Sequence, residues 1–532
     1  MAATYGAPGV YVEEKPSGSM PLQGVGTAVA AFVGFTRTYN PDAGDPSDPE
    51  GVRPQLITSW PQYERVYGGF VKGALLPHAV KGYFENGGGV CYVVRIPTPG
   101  GDAGLPQRAL PAAGKQDVET LRIEGREPDT AVEVVIEGTP GENGQEQPPQ
   151  EFTLKVVQHG TVREEYPGLS IGRGAKSVDK VVNERSKLIR VQVQQVPGMS
   201  LAERVPAQGS YLVAPNGSAM VGATPQELEG SETARTGYQG LAIADDVTMV
   251  AIPDLLTVAT REDGRFDEEV YLAAQGRLVD WCEASGTRMA ILDSPPGLSA
   301  QGALDWRAAL GKDSGFGAAY YPHLVVANPL ATNGSTSGEK FLTVPPSGHV
   351  AGVWARTDAV RGVWKAPANE VVRGVARLET EITTGEQSLL NPQQVNCIRA
   401  FGANGIRIWG ARTLAATDQS WRYINVRRLF IFIEESIRRG TQWVVFEPND
   451  AELWARVRRT VSVFLHGLWM QGALVGQTPG QAFFVLCDES NNPPGSVDEG
   501  KLIVDIGVAP VKPAEFVIFR ISQWQGGAAT AE

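Results

Sequence analysis

The feature that most restricts the fold is an alternation of strand-like and helix-like segments that stops near residue 97 and resumes near residue 246. Before the gap, TAVAAFVGFT (27–36) has the unbroken apolar run of a strand buried on both faces. PQYERVYGG and LLPHAVKGYFENGGG have helical spacing with glycine stops, and VCYVVRIP is a second buried strand. After the gap, VTMVAIPD (247–254), RMAILDSPPG (288–297) and AAYYPHLVVANP (318–329) are further strands, separated by the helical FDEEVYLAAQGRLVDWCEASG and by a helix around Leu304. Continuous apolar strands alternating with helices predict a parallel α/β sheet, because parallel neighbours need a crossover long enough to hold a helix.

Inside the gap the period changes. LRIEG, AVEVVIEG, EFTLKVVQ and KLIRVQVQQV alternate every second residue and are separated by loops as polar as TPGENGQEQPPQ. That pattern predicts a small, mostly β domain inserted on surface loops, closed by a tract (214–240) that reads as loose. Beyond Val371 come two helices, 421–439, capped by Asp418 or Ser420, and 451–469, capped by Asp450. QAFFVLCDE, KLIVDIGVAP and AEFVIFRISQW follow as three expected strands. The chain is therefore read as α+β and multidomain. An extended arm spans 1–20, and a discontinuous α/β middle domain spans 21–96 and 246–370. A β-rich insert occupies 97–245, a C-terminal α+β domain 371–510 and a strand arm 511–532.

Chemistry is sparse along this frame. The net charge of −12 opposes nucleic-acid binding, no apolar run approaches the roughly 20 residues of a membrane span, and MAATYGAPGVYVEE lacks the layout of a signal peptide, so the chain is expected to stay in the cytosol. Cys91, Cys282, Cys397 and Cys487 lie at least 90 residues apart and the five histidines are scattered, which predicts buried thiols and no metal site. No phosphate loop, dinucleotide fingerprint or GxSxG elbow occurs. Asp254 and Asp293 end two strands, where α/β enzymes place catalytic groups. Their contexts, IPDLL and LDSPPG, lack a neighbouring base and read as caps of the loops that follow. The expected inventory is no catalytic residue and no cofactor.

Charge is unevenly shared. Between Arg399 and Arg459 there are eleven arginines, no lysine and six acids, so this segment carries +5 and the remainder −17. Arginines on two helices in an acidic protein are either a solvated, salt-bridged face or a docking face for an acidic partner. A second oddity is AGVWARTDAVRGVWKAPANE (351–370), where GVW occurs twice, ten residues apart.

Several blocks resemble, in family order, the tail sheath proteins of contractile phages and related contractile injection systems. They are YGAPGVYVEE, AIPD, ILDSPPG, SGHVAGVWARTDAVRGVWKAPAN, NCIRAFGANGIRIWGARTL, LHGLWMQGALVG and GVAPVKPAEFVIFRISQ. The resemblance implies a helical homo-oligomer of stacked rings around an inner tube protein. Baseplate and terminator or cap proteins would stand at its ends, and neither nucleic acid nor membrane insertion would be involved. It implies assembly in the host cytoplasm as part of a phage tail or tail-like particle. It also implies strand exchange through Val10, Tyr11 and Val12 and through Phe516, Val517, Ile518 and Phe519. Arg456, Arg458 and Arg459 would contact the tube, with Arg427, Arg428, Arg438 and Arg439 next in line. Trp354, Asp358, Arg361 and Trp364 would form a core linking two domains. An α/β enzyme or a monomeric or ring-forming binding module remains the alternative.

Overall fold

The computed structural model describes residues 22–520 except 46, 49, 98–105, 127–131, 139–150, 159–160, 195, 197, 214–222, 262–263 and 332–339. Val10, Tyr11 and Val12 lie outside the described residues. The chain divides into two compact units. The larger holds Ala28–Val360 and Pro367–Ile424. The smaller holds Arg361–Ala366 and the chain from Asn425, with the residues before Ala28.

The larger unit is built on a nine-stranded sheet. Its order is Glu370–Val371, Ile406–Ile408, Val395–Ala400, Gly317–Tyr321, Met289–Asp293, Met249–Ala251, Ala30–Phe35, Cys91–Ile96, Gln55–Ile57. The six central strands, from Val395–Ala400 to Cys91–Ile96, run parallel, and the edges are closed by antiparallel strands. AAFVGF, MAILD and GAAYY are buried at every position, because helices cover both faces of a parallel sheet. Ala31, Val33, Phe35, Val250, Ala290, Leu292 and Ala319 share one core with the helix Glu268–Ser285. With the two-residue period of a strand, Phe32 and Tyr320 turn to the other face, where their rings meet Tyr83 and Trp354 on the helices Leu76–Glu85 and Ser347–Arg361.

Two boundaries differ from the sequence reading. The sheet does not stop at 370: Val395–Ala400 pairs in parallel with Gly317–Tyr321, and the buried Asn396 amide donates to the carbonyls of Ala319 (3.1 Å) and Arg412 (2.7 Å). The smaller unit therefore begins at Asn425 rather than Val371. The insert also ends early. Its two sheets, of four and three strands, lie between Gln107 and Val213 around their own core. Ala223, Leu228, Tyr238, Leu241 and Ala244 join the core of the host sheet instead. The apolar side chains scattered through that Gly/Ser-rich tract pack it down, so 223–240 is not loose.

The smaller unit packs the helices Ile424–Gly440 and Ala451–Met470 against a two-stranded antiparallel sheet, Phe483–Leu486 with Asp505–Val508. Asp450 caps the second helix by accepting the Leu453 N–H at 2.9 Å. Asp418 caps only the short turn Gln419–Trp421 and not the first helix. Leu453, Val457, Val461 and Leu465 form the buried stripe, as their four-residue spacing predicts. The third expected strand is absent from 513–520, which carries neither helix nor strand.

Candidate assembly surfaces

The strand-end carboxylates come first, since they alone suggested chemistry. Both are fully enclosed, and both serve as acceptors for main-chain N–H groups far away in sequence. Asp254 accepts from Phe35 (2.8 Å), at the end of its own strand, and from Leu75 and Leu76 (3.1 Å), at the start of the helix Leu76–Glu85. Asp293 accepts from Ser347 (2.8 Å), the first residue of the helix Ser347–Arg361. Each carboxylate thus meets the positive end of a helix and satisfies donors that would otherwise be orphaned. The caps are on remote helices, not on the loops that follow in sequence. Gly34 makes the first contact possible, since a Cβ there would sit 2.2 Å from Asp254 Oδ2. Burial pushes both carboxyls up to about 7, against the lowering effect of those hydrogen bonds. Among the described residues no group of His, Cys, Asp and Glu is arranged to hold a metal ion, and no helix is long and apolar enough to cross a membrane.

The twin GVW triplets fall one in each unit. Gly352 lies where the helix Ser347–Arg361 crosses Leu76–Glu85 at close range. A Cβ on Gly352 would stand 2.4 Å from the Tyr83 carbonyl oxygen, and one on Gly348 would stand 2.3 Å from Ala79 Cα. Trp354 is fully buried and donates from Nε1 to the Tyr320 hydroxyl at 3.0 Å. In the second triplet Gly362 takes φ +86°, a left-handed conformation that favours glycine, and Val363 and Trp364 pack into the core of the smaller unit. Asp358 is half-buried on the helix Ser347–Arg361, and Arg361, the exposed last residue of that helix, is counted with the smaller unit. Of the four residues expected to form one linking core, Trp354 and Asp358 fall in the larger unit and Arg361 and Trp364 in the smaller.

The smaller unit carries the uncovered surface. Phe516, Val517, Ile518 and Phe519 are 73%, 70%, 77% and 83% exposed, four large apolar residues in succession. Among the described residues no third strand pairs with either edge of the hairpin Phe483–Leu486/Asp505–Val508. Exposed apolar runs and open strand edges invite pairing with other chains unless they are covered.

The arginines sort by environment. Arg456, Arg458 and Arg459 are exposed on the helix Ala451–Met470. Arg456 lies 4.6 Å over the Trp443 ring, and Arg458 is 3.8 Å from Asp488 across a partly exposed pair. Arg458 and Asp488 also line a shallow cavity of about 390 Å³ with Trp454 and Cys487. Arg427 and Arg428 are buried instead. Arg427 is paired with Glu434 at 3.2 Å, and Arg428 donates to the Thr27 carbonyl at 2.8 Å. Arg438 and Arg439 both engage Glu435. Burial raises the Glu435 carboxyl, but the hydrogen bonds and charges of those two arginines outweigh it and hold the group below the usual range. The four arginines kept in reserve are thus committed within the unit, and the helix Ala451–Met470 presents the exposed basic face.

Residues 253–414 match the family described as phage tail sheath protein central domain, and residues 416–523 match phage tail sheath C-terminal domain, together just over half of the chain. The chain belongs to the phage tail sheath family. It is 28% identical over 177 residues to the tail sheath protein of Vibrio phage KVP40, covering 33% of this chain and 26% of that one. It is 26% identical over 299 residues to a putative prophage major tail sheath protein of Pseudomonas aeruginosa, covering 54% of this chain and 70% of the relative. The chain thus spans only about a quarter of the phage KVP40 protein and of the tail sheath protein of Enterobacteria phage T4. A chain in the cryo-EM structure of the anti-feeding prophage baseplate aligns at TM-score 0.54 and 25% identity, over 98% of this chain and 99% of that one. The sheath complex of the extracellular contractile injection system PVC, in its contracted state, aligns at TM-score 0.55 and 24% identity over 98% and 99%, and shares the fold.

Proposed function

We propose that this protein is the repeating subunit of a contractile sheath. It forms a helical homo-oligomer of stacked rings around an inner tube, held extended in a metastable state, and shortens to drive the tube through a target envelope. The observation that carries this reading is the exposed run Phe516–Phe519 beside a hairpin with open edges. An apolar extended segment and an unfilled sheet in the same chain are the two halves of β-strand addition between copies. Val10, Tyr11 and Val12 supply the second donated strand. Each added backbone hydrogen bond contributes only about 1 kcal/mol, but every subunit both gives and accepts strands. The mesh therefore persists while the rigid units reorient.

Within this reading Arg456, Arg458 and Arg459 face an acidic tube, the insert Gln107–Val213 projects outward, and baseplate and cap proteins terminate the stack. Assembly takes place in the host cytoplasm, and the sheath itself needs no cofactor, nucleic acid or membrane. Removing residues 1–20, or ending the chain after Lys512, is expected to leave a folded subunit that forms no long tubes in negative-stain micrographs. Unchanged tubes from both truncated chains would refute the reading.

A further inference from the structure

We propose that Asn425 is a positioning residue. It clasps the root of the C-terminal arm to the six residues, Arg361–Ala366, that the chain spends in the smaller unit between two passages through the larger one. Asn425 is 1% exposed, and its side-chain amide donates both N–H groups to main-chain carbonyls, to Trp364 at 2.8 Å and to Val511 at 3.1 Å. Those two acceptors are separated by 147 positions in sequence. Asn425 Oδ1 has no hydrogen-bond partner among the described residues, so the amide acts purely as a double donor. An acceptor-only side chain cannot replace it.

The place of the clasp gives it consequence. After the strand Asp505–Val508 the chain stays tied down for three residues. Ala509 N–H donates to Ala482, Val475 N–H donates to Ala509, and Val511 N–H donates to Ala473. Asn425 takes the Val511 carbonyl, and five residues further on the run Phe516–Phe519 is already exposed. Pro510 and Pro513 bracket the tie, fixing φ on either side. At the other acceptor, Val363 and Trp364 are seated in the helix core of the unit. Asn425 itself opens the unit's long C-terminal stretch in the first turn of the helix Ile424–Gly440. One amide thus joins the point where the arm departs to two of the points where the chain enters or leaves this unit. The direction of the arm and the seating of the Gly362–Trp364 link are therefore set together.

This inference rests on the arm reading above, and its test is arranged to fail separately. Full-length wild type, Asn425→Leu and Asn425→Asp are compared by amide hydrogen exchange on the soluble subunit and by tube formation. Asn425→Leu should raise exchange at least tenfold in both 362–366 and 509–513, leave the helix Ala451–Met470 unchanged, and cut the yield of tubes at least tenfold, with a lowered melting temperature but a folded subunit. Asn425→Asp, which turns two carbonyls against a carboxylate, should be the more severe. If Leu does not fold, Asn425→Ser, too short to reach either carbonyl, carries the same exchange signature. A response in only one of the two segments, or a uniform rise across the unit, would overturn the clasp. Tubes that persist when the chain ends after Lys512 would instead overturn the arm reading and leave the exchange result standing.

Discussion

The two units treat their polar and apolar groups in opposite ways. In the larger unit the strand-end carboxylates Asp254 and Asp293 are consumed by main-chain donors, and the central strands are buried along their length. In the smaller unit, four large apolar residues stand in solvent and a two-stranded sheet has edges to spare. A sheet with both faces covered is finished by its own chain. A two-stranded hairpin is marginal alone and gains most from added strands. The difference separates a unit whose strands are enclosed by its own chain from one with sheet edge and apolar surface left over, and each side can be tested.

The largest effect is expected on the open side. Reversing Arg456, Arg458 and Arg459 to Glu removes one cation–π contact and one exposed ion pair, each contributing at most about 1 kcal/mol. The subunit should fold and contracted sheath should still assemble, while extended sheath around the tube is lost. Micrographs showing normal extended particles would make this face as inert as the larger unit.

Next in size is Asp254→Ala on the closed side. It leaves three main-chain N–H groups without their acceptor, which should cost about 3–5 kcal/mol in denaturant unfolding. A loss below about 1 kcal/mol would mean that water replaces the carboxylate and that the larger unit is less sealed than described.

The pH dependence is subtler, because opposite groups share this unit. Asp254 and Asp293, raised from 3.8 to about 7 by burial, bind protons in the folded state that the unfolded chain releases. They therefore strengthen the fold below the unfolded value, and this contribution is lost as pH climbs through about 7. His78 and His349 are lowered from 6.5 to about 4 by burial, with His323 lowered as well. His78 and His349 stabilise above 6.5 and lose that contribution as pH falls through about 4, and His323 acts in the same direction. Between about pH 4 and 6.5 the two sets oppose each other, so unfolding midpoints of the wild type should change little. The double variant His78→Asn, His349→Gln should expose a decline in stability with rising pH over that range.

The smallest effect belongs to the insert. Replacing Gln107–Val213 with a short Gly/Ser linker removes a core separate from that of the host sheet. It should shift the stability of the remainder by no more than about 1 kcal/mol and leave tubes intact. Loss of tubes would show that the insert carries contacts the assembly needs.

What could be read beforehand was local. The stripe Leu453–Val457–Val461–Leu465 follows from spacing within a few residues. The destinations of Asp254 and Asp293 do not, because the donors they serve lie up to 219 positions away and no local pattern marks them. The boundary at Asn425 was hidden for a related reason. VNCIRA is too short to announce its sheet, and only parallel pairing with Gly317–Tyr321 assigns it. The packing of Leu228, Tyr238 and Leu241 was masked by the Gly- and Ser-rich residues around them. Asn425 carried no signal at all, since a buried amide in an apolar helix start looks like any other polar interruption.

The repeated triplet has a consequence for synthesis on the ribosome. Gly352–Trp354 finds its partners among residues that have largely emerged by the time it is made. Val363 and Trp364, ten residues later, belong to a core that includes Leu465, Leu468 and Leu474, so at about 5–20 residues per second they wait on the order of 10 s before they can bury. During that interval a nascent chain displays a tryptophan and a valine on a tether between two segments of a unit that can already be folding around them. In the unfinished chain, then, these apolar residues stand without the core that later covers them.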